Sequence, residues 1–184
     1  MVLLESLKVP LGSPAIDFRL EDMHGTECRL EDYRSAKVLA IVFMCNHCPY
    51  VQAVWSRLNA LQEKYQHQGV QFVGINPNVD HADYADESAQ RMPEYAQKYG
   101  MNFPYLKDPT QETAKAYRAQ CTPDIFVYDQ ERKLVYHGRV DDSWKDAEKA
   151  TQHDLDYALS LLAAGKPAPD IQPPSMGCSI KWRE

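Results

Sequence analysis

The chain carries a CxxC motif, CNHCP at positions 45–49, at the point where an apolar strand gives way to an amphipathic helix. The preceding segment 38–44 (VLAIVFM) is continuously apolar, which is typical of a strand buried on both faces of a sheet. Beyond the motif, apolar side chains recur every three or four residues and Gly69 follows as a stop signal, which predicts a helix. The apolar stripe consists of Val51, Val54, Trp55, Leu58, Leu61 and Tyr65. Both thiols are therefore predicted to lie near a helix N-terminus.

A thiol pair in this position predicts a reversible disulfide. Free backbone N–H groups and the helix dipole favour the thiolate, which is the form that attacks a disulfide. With two residues between them, one thiol can attack a substrate disulfide and the other can resolve the mixed disulfide. We expect Cys45 to be the more exposed, nucleophilic thiol and Cys48 the resolving one. Asn46, His47 and Pro49 are predicted to shape the site, and a protonated His47 would lower the thiol pKa.

A structural zinc half-site and a pair of inert core cysteines are the competing interpretations of the motif. Zinc takes about four ligands, and the sequence shows no second Cys or His pair at similar spacing. Inert burial is typical of lone cysteines rather than of two that flank an imidazole at a helix start. The sequence therefore predicts a redox site with no metal and no other cofactor.

Composition narrows the class of protein. A chain of 184 residues with 44% hydrophobic and 25% charged content predicts one globular domain over residues 1–184. A formal net charge of -6 and the lack of a basic cluster argue against a nucleic-acid partner. Glu5 and Lys8 interrupt the apolar start, and no segment is long enough to span a bilayer, so we expect no membrane association and a cytoplasmic location. Cysteines in the cytosol are mostly reduced, catalytic or buried.

Apolar periodicity and turn residues predict an alternation of strands and helices. Two adjacent parallel strands with a helix between them form the centre, because such units pair with a right-handed crossover. The predicted elements are an N-terminal hairpin (17–20 and 27–30), strands 38–44 and 70–75, a helix within 88–99 limited by Pro93, a helix 109–118 capped by Asp108, a hairpin (125–128 and 133–137), a last helix near 155–162 and an irregular tail 165–184.

Thr122-Pro123 lies directly before a predicted strand and far from the CxxC motif, and this order resembles the thioredoxin-like superfamily. The resemblance implies an α/β fold with a central mixed β-sheet flanked by helices. It also implies a cis-proline loop that faces the thiols. In that loop Thr122 would present its backbone to a bound peptide, and Pro123 would lie against Cys45.

Four segments narrow the resemblance further: CNHCPYV, CTPDIFVYD, GRVDD and the ending GCSIKW. Together with the N-terminal hairpin, they resemble a peroxiredoxin-like redoxin (AhpC/TSA-type) family that carries CxxC. True peroxiredoxins have a Pro-x-x-x-Thr-x-x-Cys motif. Aligned on Cys48, this chain has Cys45 at the threonine and Ile41 at the proline, and Thr122-Pro123 lies where the peroxide-orienting arginine would fall. Because these groups stabilise the departing oxygen, their loss predicts slow peroxide reduction.

Three further cysteines lie outside the motif. Cys121 is two residues before Pro123 and is a candidate third redox thiol, with simple burial as the alternative. Cys178 in the tail is also a candidate if the chain folds back to the site, and packing of the chain end is the alternative. Cys28 is predicted to be structural. The GRVDD run at 138–142 either lines the site or is solvated and paired at the surface, and the second is favoured.

These observations predict a thiol-disulfide oxidoreductase that cycles Cys45 and Cys48 between dithiol and disulfide and acts as a reductase in the cytosol. Its expected partners are a protein or small-molecule disulfide and a thiol-based electron donor, and the sequence leaves its oligomeric state open. One alternative is a thiol peroxidase with an antioxidant role that uses Cys48, with Cys45 or Cys178 as resolving thiol. Another is a non-enzymatic module, either a redox sensor or a metal-binding site built from Cys45, His47 and Cys48.

Overall fold

The two long apolar segments form the centre of a mixed sheet in the computed structural model, which describes residues 2–183. The strands are β1 (Leu3–Glu5), β2 (Arg19–Asp22), β3 (Glu27–Arg29), β4 (Val38–Phe43), β5 (Val70–Asn76), β6 (Tyr105–Lys107), β7 (Cys121–Thr122), β8 (Asp124–Tyr128), β9 (Leu134–His137) and β10 (Met176–Ser179). The helices are α1 (Pro49–Tyr65), α2 (Met92–Lys98), α3 (Glu112–Tyr117) and α4 (Asp154–Ala163). The described helices include none that is long and apolar enough to cross a membrane.

The main sheet has the strand order β3-β2-β6-β5-β4-β8-β9 within the described chain. β5 runs parallel to both β4 and β6, whereas β8 is antiparallel to β4 and β9. The predicted hairpins are present as the antiparallel pairs β2–β3 and β8–β9. The expected central mixed sheet with flanking helices is therefore confirmed, and β4 at its centre carries the CxxC motif at its carboxyl end.

Side chains of β4 alternate between two cores, as the two-residue period of a strand requires. Val38, Ala40 and Val42 pack with α1 and α4, while Leu39, Ile41 and Phe43 pack with α3 on the other face. Burial of each Val, Leu, Ile or Phe side chain in this strand stabilises the fold by about 1.5–3 kcal/mol. The strand that leads to the thiols is thus held on both faces, which makes it a rigid base for the site.

Helix α1 begins at Pro49 because proline has no N–H to lose at a first helical position and its φ suits the helix. Cys48 is its N-cap residue. The predicted apolar stripe is buried along the helix. A short 3-10 turn, Gln66–Gln68, then ends at Gly69, whose φ of 87° lies in the left-handed region that glycine tolerates.

The predicted helix 109–118 begins three residues late, at Glu112. Gln111 precedes it with a left-handed φ of 63°, and the buried carboxylate of Asp108 accepts from the N–H of Ala114 at 2.8 Å. The prediction that Asp108 is the N-cap residue was therefore wrong, because its carbonyl oxygen closes a turn with the N–H of Gln111 before the helix begins; its carboxylate still accepts from the first turn of the helix. Segment 88–99 divides into a 3-10 turn, Ala89–Arg91, and α2, with Pro93 in its first turn.

The chain end differs most from the sequence prediction. Segment 165–184 was expected to be irregular, yet it contains β10, which lies between β1 and β7 in a second sheet. β10 runs against β7 so closely that a Cβ on Gly177 would lie 2.0 Å from the carbonyl oxygen of Thr122. Its sequence, MGCS, lacks the β-branched and aromatic residues that mark a strand, so only the pairing partners reveal it.

Candidate active site

The junction of β4 and α1 places Cys45 and Cys48 in the interior of the protein. Cys45 follows the end of β4, and Cys48 caps α1. Both residues have 0% exposed surface, so the prediction that Cys45 is the more exposed thiol was wrong. The physical reason is that neighbouring chain segments close over the motif from both sides: the 84–87 segment on one side and β10 on the other.

The cis-proline loop faces the two thiols, as the resemblance implied. The Thr122-Pro123 peptide bond is cis. The Cys45 Sγ atom lies 3.3 Å from Thr122 Oγ1, and the Cys48 Sγ atom lies 3.1 Å from the Thr122 carbonyl oxygen, to which a neutral Cys48 thiol can donate. Thr122 is fully buried and pairs with Cys178 in the β7–β10 ladder. Its backbone is therefore not free to receive a peptide in this conformation, contrary to the expectation.

Cys178 is the thiol that meets the CxxC motif. Its Sγ atom lies 2.8 Å from the Cys48 Sγ atom, and the residue is 1% exposed. Cys121, the other candidate third thiol, lies one position before Thr122 and donates instead to the carbonyl oxygen of Pro123 at 3.7 Å. Burial raises the pKa of Cys121, which keeps it protonated. Cys28 is half-buried in β3, with its thiol 3.7 Å from the Thr26 carbonyl oxygen.

Glu87 is a buried acid beside the motif that the sequence analysis did not identify. Its carboxylate accepts from the backbone N–H of Asn46 at 3.1 Å and of His47 at 2.7 Å, and from Asn76 Nδ2 at 2.8 Å. It also contacts His47 Nδ1. Glu87 ends a 3-10 turn, Ala85–Glu87, in a polar segment whose sequence gives no sign of burial. Charged residues are rarely buried without partners, and these donors supply them.

Asn46 and His47 attach the motif to its surroundings. Asn46 Nδ2 donates to the Asp86 carbonyl oxygen at 2.9 Å, and its Oδ1 accepts from the Tyr105 hydroxyl at 3.0 Å. The His47 ring stacks on Tyr84 with centroids 4.7 Å apart. The CxxC loop is thus fixed by a network of buried polar contacts, and such networks are rigid when their members are satisfied.

The pKa shifts of the thiols follow from these contacts. Burial raises the pKa of Cys45 well above its usual value, and the nearby charge of Glu87 acts in the same direction. Burial also opposes ionisation of Cys48, but hydrogen bonds from the Cys178 and Cys45 thiols and from the backbone N–H of Val51 outweigh it and lower the pKa. The Cys48 contact and burial raise the pKa of Cys178. These contacts therefore favour ionisation of Cys48, the helix N-cap, over ionisation of Cys45.

One group of described side chains has the donor types of a metal site. Ligand atoms of Cys45, His47 and Glu87 lie within 4.8 Å of one another. Both oxygens of Glu87 already accept hydrogen bonds from N–H donors, so the carboxylate is satisfied without a cation. Cys48, the third ligand in the sequence-based alternative, contacts Cys178 and Thr122 instead. The arrangement is that of a hydrogen-bonded acid beside a thiol pair.

A cleft of about 190 Å³ lies beside residues that follow the CxxC motif and residues that precede Cys178. Residues that line it include Tyr50, Pro123, Arg139, Trp144 and Met176. The Tyr50 and Trp144 rings lie 3.9 Å apart between centroids at its edge. This cleft adjoins the cis-proline loop and the start of β10, whereas the three thiols are buried and are not part of its lining.

The GRVDD run supports the wall of this cleft. Asp141 is buried, not solvated, and its Oδ2 accepts from Arg57 Nη1 of α1 at 2.5 Å. Arg57 also donates to the carbonyl oxygens of Ser143 and Trp144. Asp142 is exposed and accepts from Thr151 Oγ1 at 2.5 Å. The preferred interpretation of solvated charges thus holds for Asp142 and is wrong for Asp141, which fixes the loop to the CxxC helix.

Comparisons with known proteins find the same architecture. The model of the AhpC/TSA family matches residues 11–137. The thiol-disulfide oxidoreductase ResA of Geobacillus thermodenitrificans is 30% identical over 130 residues, which cover 71% of this chain and 70% of that protein. The ResA of Geobacillus kaustophilus is 29% identical over 126 residues, which cover 68% of this chain and 67% of that protein.

Solved structures extend the match over the whole chain. A conserved protein of Geobacillus kaustophilus superposes with a TM-score of 0.93 and 43% identity, covering 100% of this chain and 97% of that chain. A protein of Sinorhizobium meliloti 1021 superposes with a TM-score of 0.92 and 39% identity, covering 97% of this chain and 98% of that chain. A DsbE-type thiol:disulfide interchange protein of Chlorobium tepidum, 22% identical, has a TM-score of 0.61 over 71% of this chain and 85% of that chain, and it supports the fold alone.

Proposed function

Because the chain belongs to the AhpC/TSA family and is a thiol-disulfide oxidoreductase, we propose that Cys48 is its attacking thiolate and that Cys45 resolves the mixed disulfide. The observation that carries this assignment is the position of Cys48. It is the N-cap of α1, and it receives hydrogen bonds that lower its pKa. The order of the two thiols is the reverse of the one expected from the sequence.

The reaction balances in two exchange steps. The Cys48 thiolate attacks a substrate disulfide, a new bond forms between Cys48 Sγ and one substrate sulfur, and the other sulfur leaves as a thiolate. Cys45, after losing its proton, attacks Cys48 Sγ and releases the second substrate thiol. The substrate gains two electrons and two protons, one proton from Cys45 and one from solvent, and a disulfide joins Cys45 to Cys48. A thiol-based donor then returns the pair to the dithiol.

The preferred direction is reduction, in the cytosol. A cysteine pair with a low reduction potential acts as a reductant in the cytosol, because glutathione and thioredoxin systems supply electrons to it there. The expected substrates are protein or small-molecule disulfides, and an antioxidant role would follow from the repair of oxidised thiols. A redox titration of the pair should give a potential near that of thioredoxin, about -270 mV, whereas a value near -120 mV would indicate an oxidant.

A trapping experiment tests the nucleophile. A Cys45→Ser/Cys178→Ser variant retains Cys48 alone in the cluster, so it should accumulate mixed disulfides with a model substrate such as insulin. A Cys48→Ser variant should trap none and should fail to catalyse insulin reduction by dithiothreitol. Cys121→Ser is the matched control, since it removes a buried thiol one residue from Thr122 without touching Cys48. Trapping through Cys45 in the Cys48→Ser variant would restore the order expected from the sequence. Inactivity of the wild type would refute the function.

A further inference from the structure

Three thiols, not two, meet at the centre of the site, and Cys48 is the middle one. Its contact with Cys45 lowers the pKa of Cys48 and raises the pKa of Cys45. The Cys48 Sγ atom also lies 2.8 Å from the Cys178 Sγ atom. Reacting atoms held about 3–3.5 Å apart are in near-attack positions, and these two sulfurs lie closer still, so they are within reach for sulfur exchange. The CxxC chemistry alone requires no thiol in the tail.

The structure holds Cys178 in this position from both sides. In the β10 ladders, Cys178 stands opposite Leu3 of β1 and Thr122 of β7. Before it, Ser175 Oγ donates to the Gly138 carbonyl oxygen at 2.7 Å, and after it the Ile180 N–H donates to the Gln120 carbonyl oxygen at 2.9 Å. A side chain on a strand anchored at both ends is pre-organised for one geometry, which favours reaction over random encounter.

Gly177 shows how close this approach is. A Cβ at this position would meet the Thr122 carbonyl oxygen at 2.0 Å and the Thr122 carbonyl carbon at 2.6 Å. Only glycine lets the backbone of β10 come so near to the cis-proline loop. Cys178, the next residue, therefore contacts Cys48, and this contact depends on the close approach of β10 to the cis-proline loop.

We propose that Cys178 is a third redox thiol, which takes the disulfide from Cys45–Cys48 and forms a Cys48–Cys178 disulfide. This inference rests on the proposed function, because that reaction supplies the first disulfide. In the transfer, the Cys178 thiolate attacks Cys48 Sγ, the Cys48–Cys178 bond forms, the Cys45–Cys48 bond breaks, and Cys45 leaves as a thiolate that takes up the proton lost by Cys178. No oxidant or reductant enters this step.

The transfer has two consequences for the enzyme. It returns Cys45 to the thiol form while the disulfide moves to β10, whose first residue, Met176, lines the cleft. It also gives a small adduct on Cys48, such as glutathione, a second resolving thiol. The electron donor would then act on the Cys48–Cys178 disulfide.

The test uses full-length variants and oxidised glutathione. After exposure to oxidised glutathione, a Cys45→Ser variant should form an intramolecular Cys48–Cys178 disulfide, identified by mass spectrometry of unreduced peptides. A Cys45→Ser/Cys121→Ser variant should do the same. In Cys45→Ser/Cys178→Ser, the glutathione adduct on Cys48 should persist, and its loss should be slower by on the order of 100-fold or more, because neighbouring groups react at high effective concentration. Circular dichroism establishes that each variant is folded. If the Cys178→Ser substitution prevents folding, Cys178→Ala takes its place.

The outcomes separate this inference from the proposed function. If the Cys45→Ser variant keeps its glutathione adduct as long as Cys45→Ser/Cys178→Ser does, Cys178 is not a redox thiol and the inference is overturned. The proposed function survives that result if Cys178→Ser still forms the Cys45–Cys48 disulfide and reduces insulin. If Cys178→Ser forms no Cys45–Cys48 disulfide and wild type reduces no insulin, the proposed function fails independently.

Discussion

Replacing Glu87 by glutamine tests whether the buried carboxylate fixes the CxxC loop. The carboxylate accepts two bonds at Oε2, from Asn46 N and Asn76 Nδ2, and two contacts at Oε1, from the N–H and Nδ1 of His47. Glutamine has one acceptor oxygen and one NH₂ group. If the glutamine NH₂ group took the position of Oε2, it would face two donors, the Asn46 N–H and Asn76 Nδ2. The glutamine side chain should therefore place its oxygen there and its NH₂ group towards His47.

That orientation sets the size of the effect. The amide NH₂ can donate to a neutral His47 Nδ1, but the backbone N–H of His47 then has no acceptor. One unsatisfied buried donor costs about 1–3 kcal/mol, so Glu87→Gln should lower the free energy of unfolding by about that amount at pH 7. In a domain of this size, each kcal/mol lowers Tm by about 2–4 °C. Glu94→Gln, in an exposed pair with Arg91, is the control and should change stability by less than about 0.5 kcal/mol.

The pH dependence gives a second readout with a definite sign. Burial raises the pKa of Glu87, but hydrogen bonds from His47, Asn76 and Asn46 outweigh it and leave the pKa below its usual value of 4.5. The unfolded state therefore binds more protons around this pH, and the contribution of Glu87 is complete above pH 4.5 and is lost as pH falls through the folded-state pKa. Urea unfolding from pH 7 to pH 3 should show the deficit of Glu87→Gln shrinking with acid. A variant as stable as wild type at pH 7, or a deficit that does not change with pH, would refute the reasoning.

Three further perturbations test other parts of the site. Gly177→Ala should cost about 1–3 kcal/mol in urea unfolding, because its Cβ would overlap the Thr122 carbonyl oxygen, and it should slow formation of the Cys48–Cys178 disulfide in peptide mapping; wild-type stability would contradict the close approach. Asp141→Asn leaves the Arg57 guanidinium partly buried beside a neutral partner and should lower stability by about 1–3 kcal/mol, with Asp142→Asn as the exposed control. Stopped-flow measurement should show slow consumption of hydrogen peroxide by wild type, and rapid turnover would contradict the argument from the missing threonine and arginine.

The part of the site that the sequence predicted is the part built by local patterns. The apolar segment 38–44, the period of the following helix and Pro49 together placed both CxxC thiols at a strand-to-helix junction, and the structure has them there. The cis peptide at Thr122-Pro123 was implied by the resemblance and is confirmed. These features depend on residues adjacent in the chain or on a motif.

The rest of the site depends on contacts between distant segments. Glu87 is 40 residues from His47, and Cys178 is 130 residues from Cys48, so no periodicity connects either residue with the motif. Exposure was misjudged for the same reason, since Cys45 is covered by segments that local patterns do not place. The helix start at Glu112 was missed because Gln111 has a left-handed φ, so the turn that Asp108 closes precedes the helix and does not start it.

Burial of all three thiols restricts how a substrate can reach them. A pair of strands near the thiols must separate to admit a substrate. The β7–β10 ladder has two residue pairs, whereas the β4–β5 ladder has six and the β4–β8 ladder has five. Local opening follows the least stable contacts, so separation of β10 from β7 is favoured. That movement would expose Cys48 and free the Thr122 backbone edge, to which an extended peptide can add as a strand. It would also remove Cys178 from Cys48. A substrate paired with Thr122 and a Cys48–Cys178 disulfide therefore exclude each other, so the proposed transfer to Cys178 must follow product release and the return of β10.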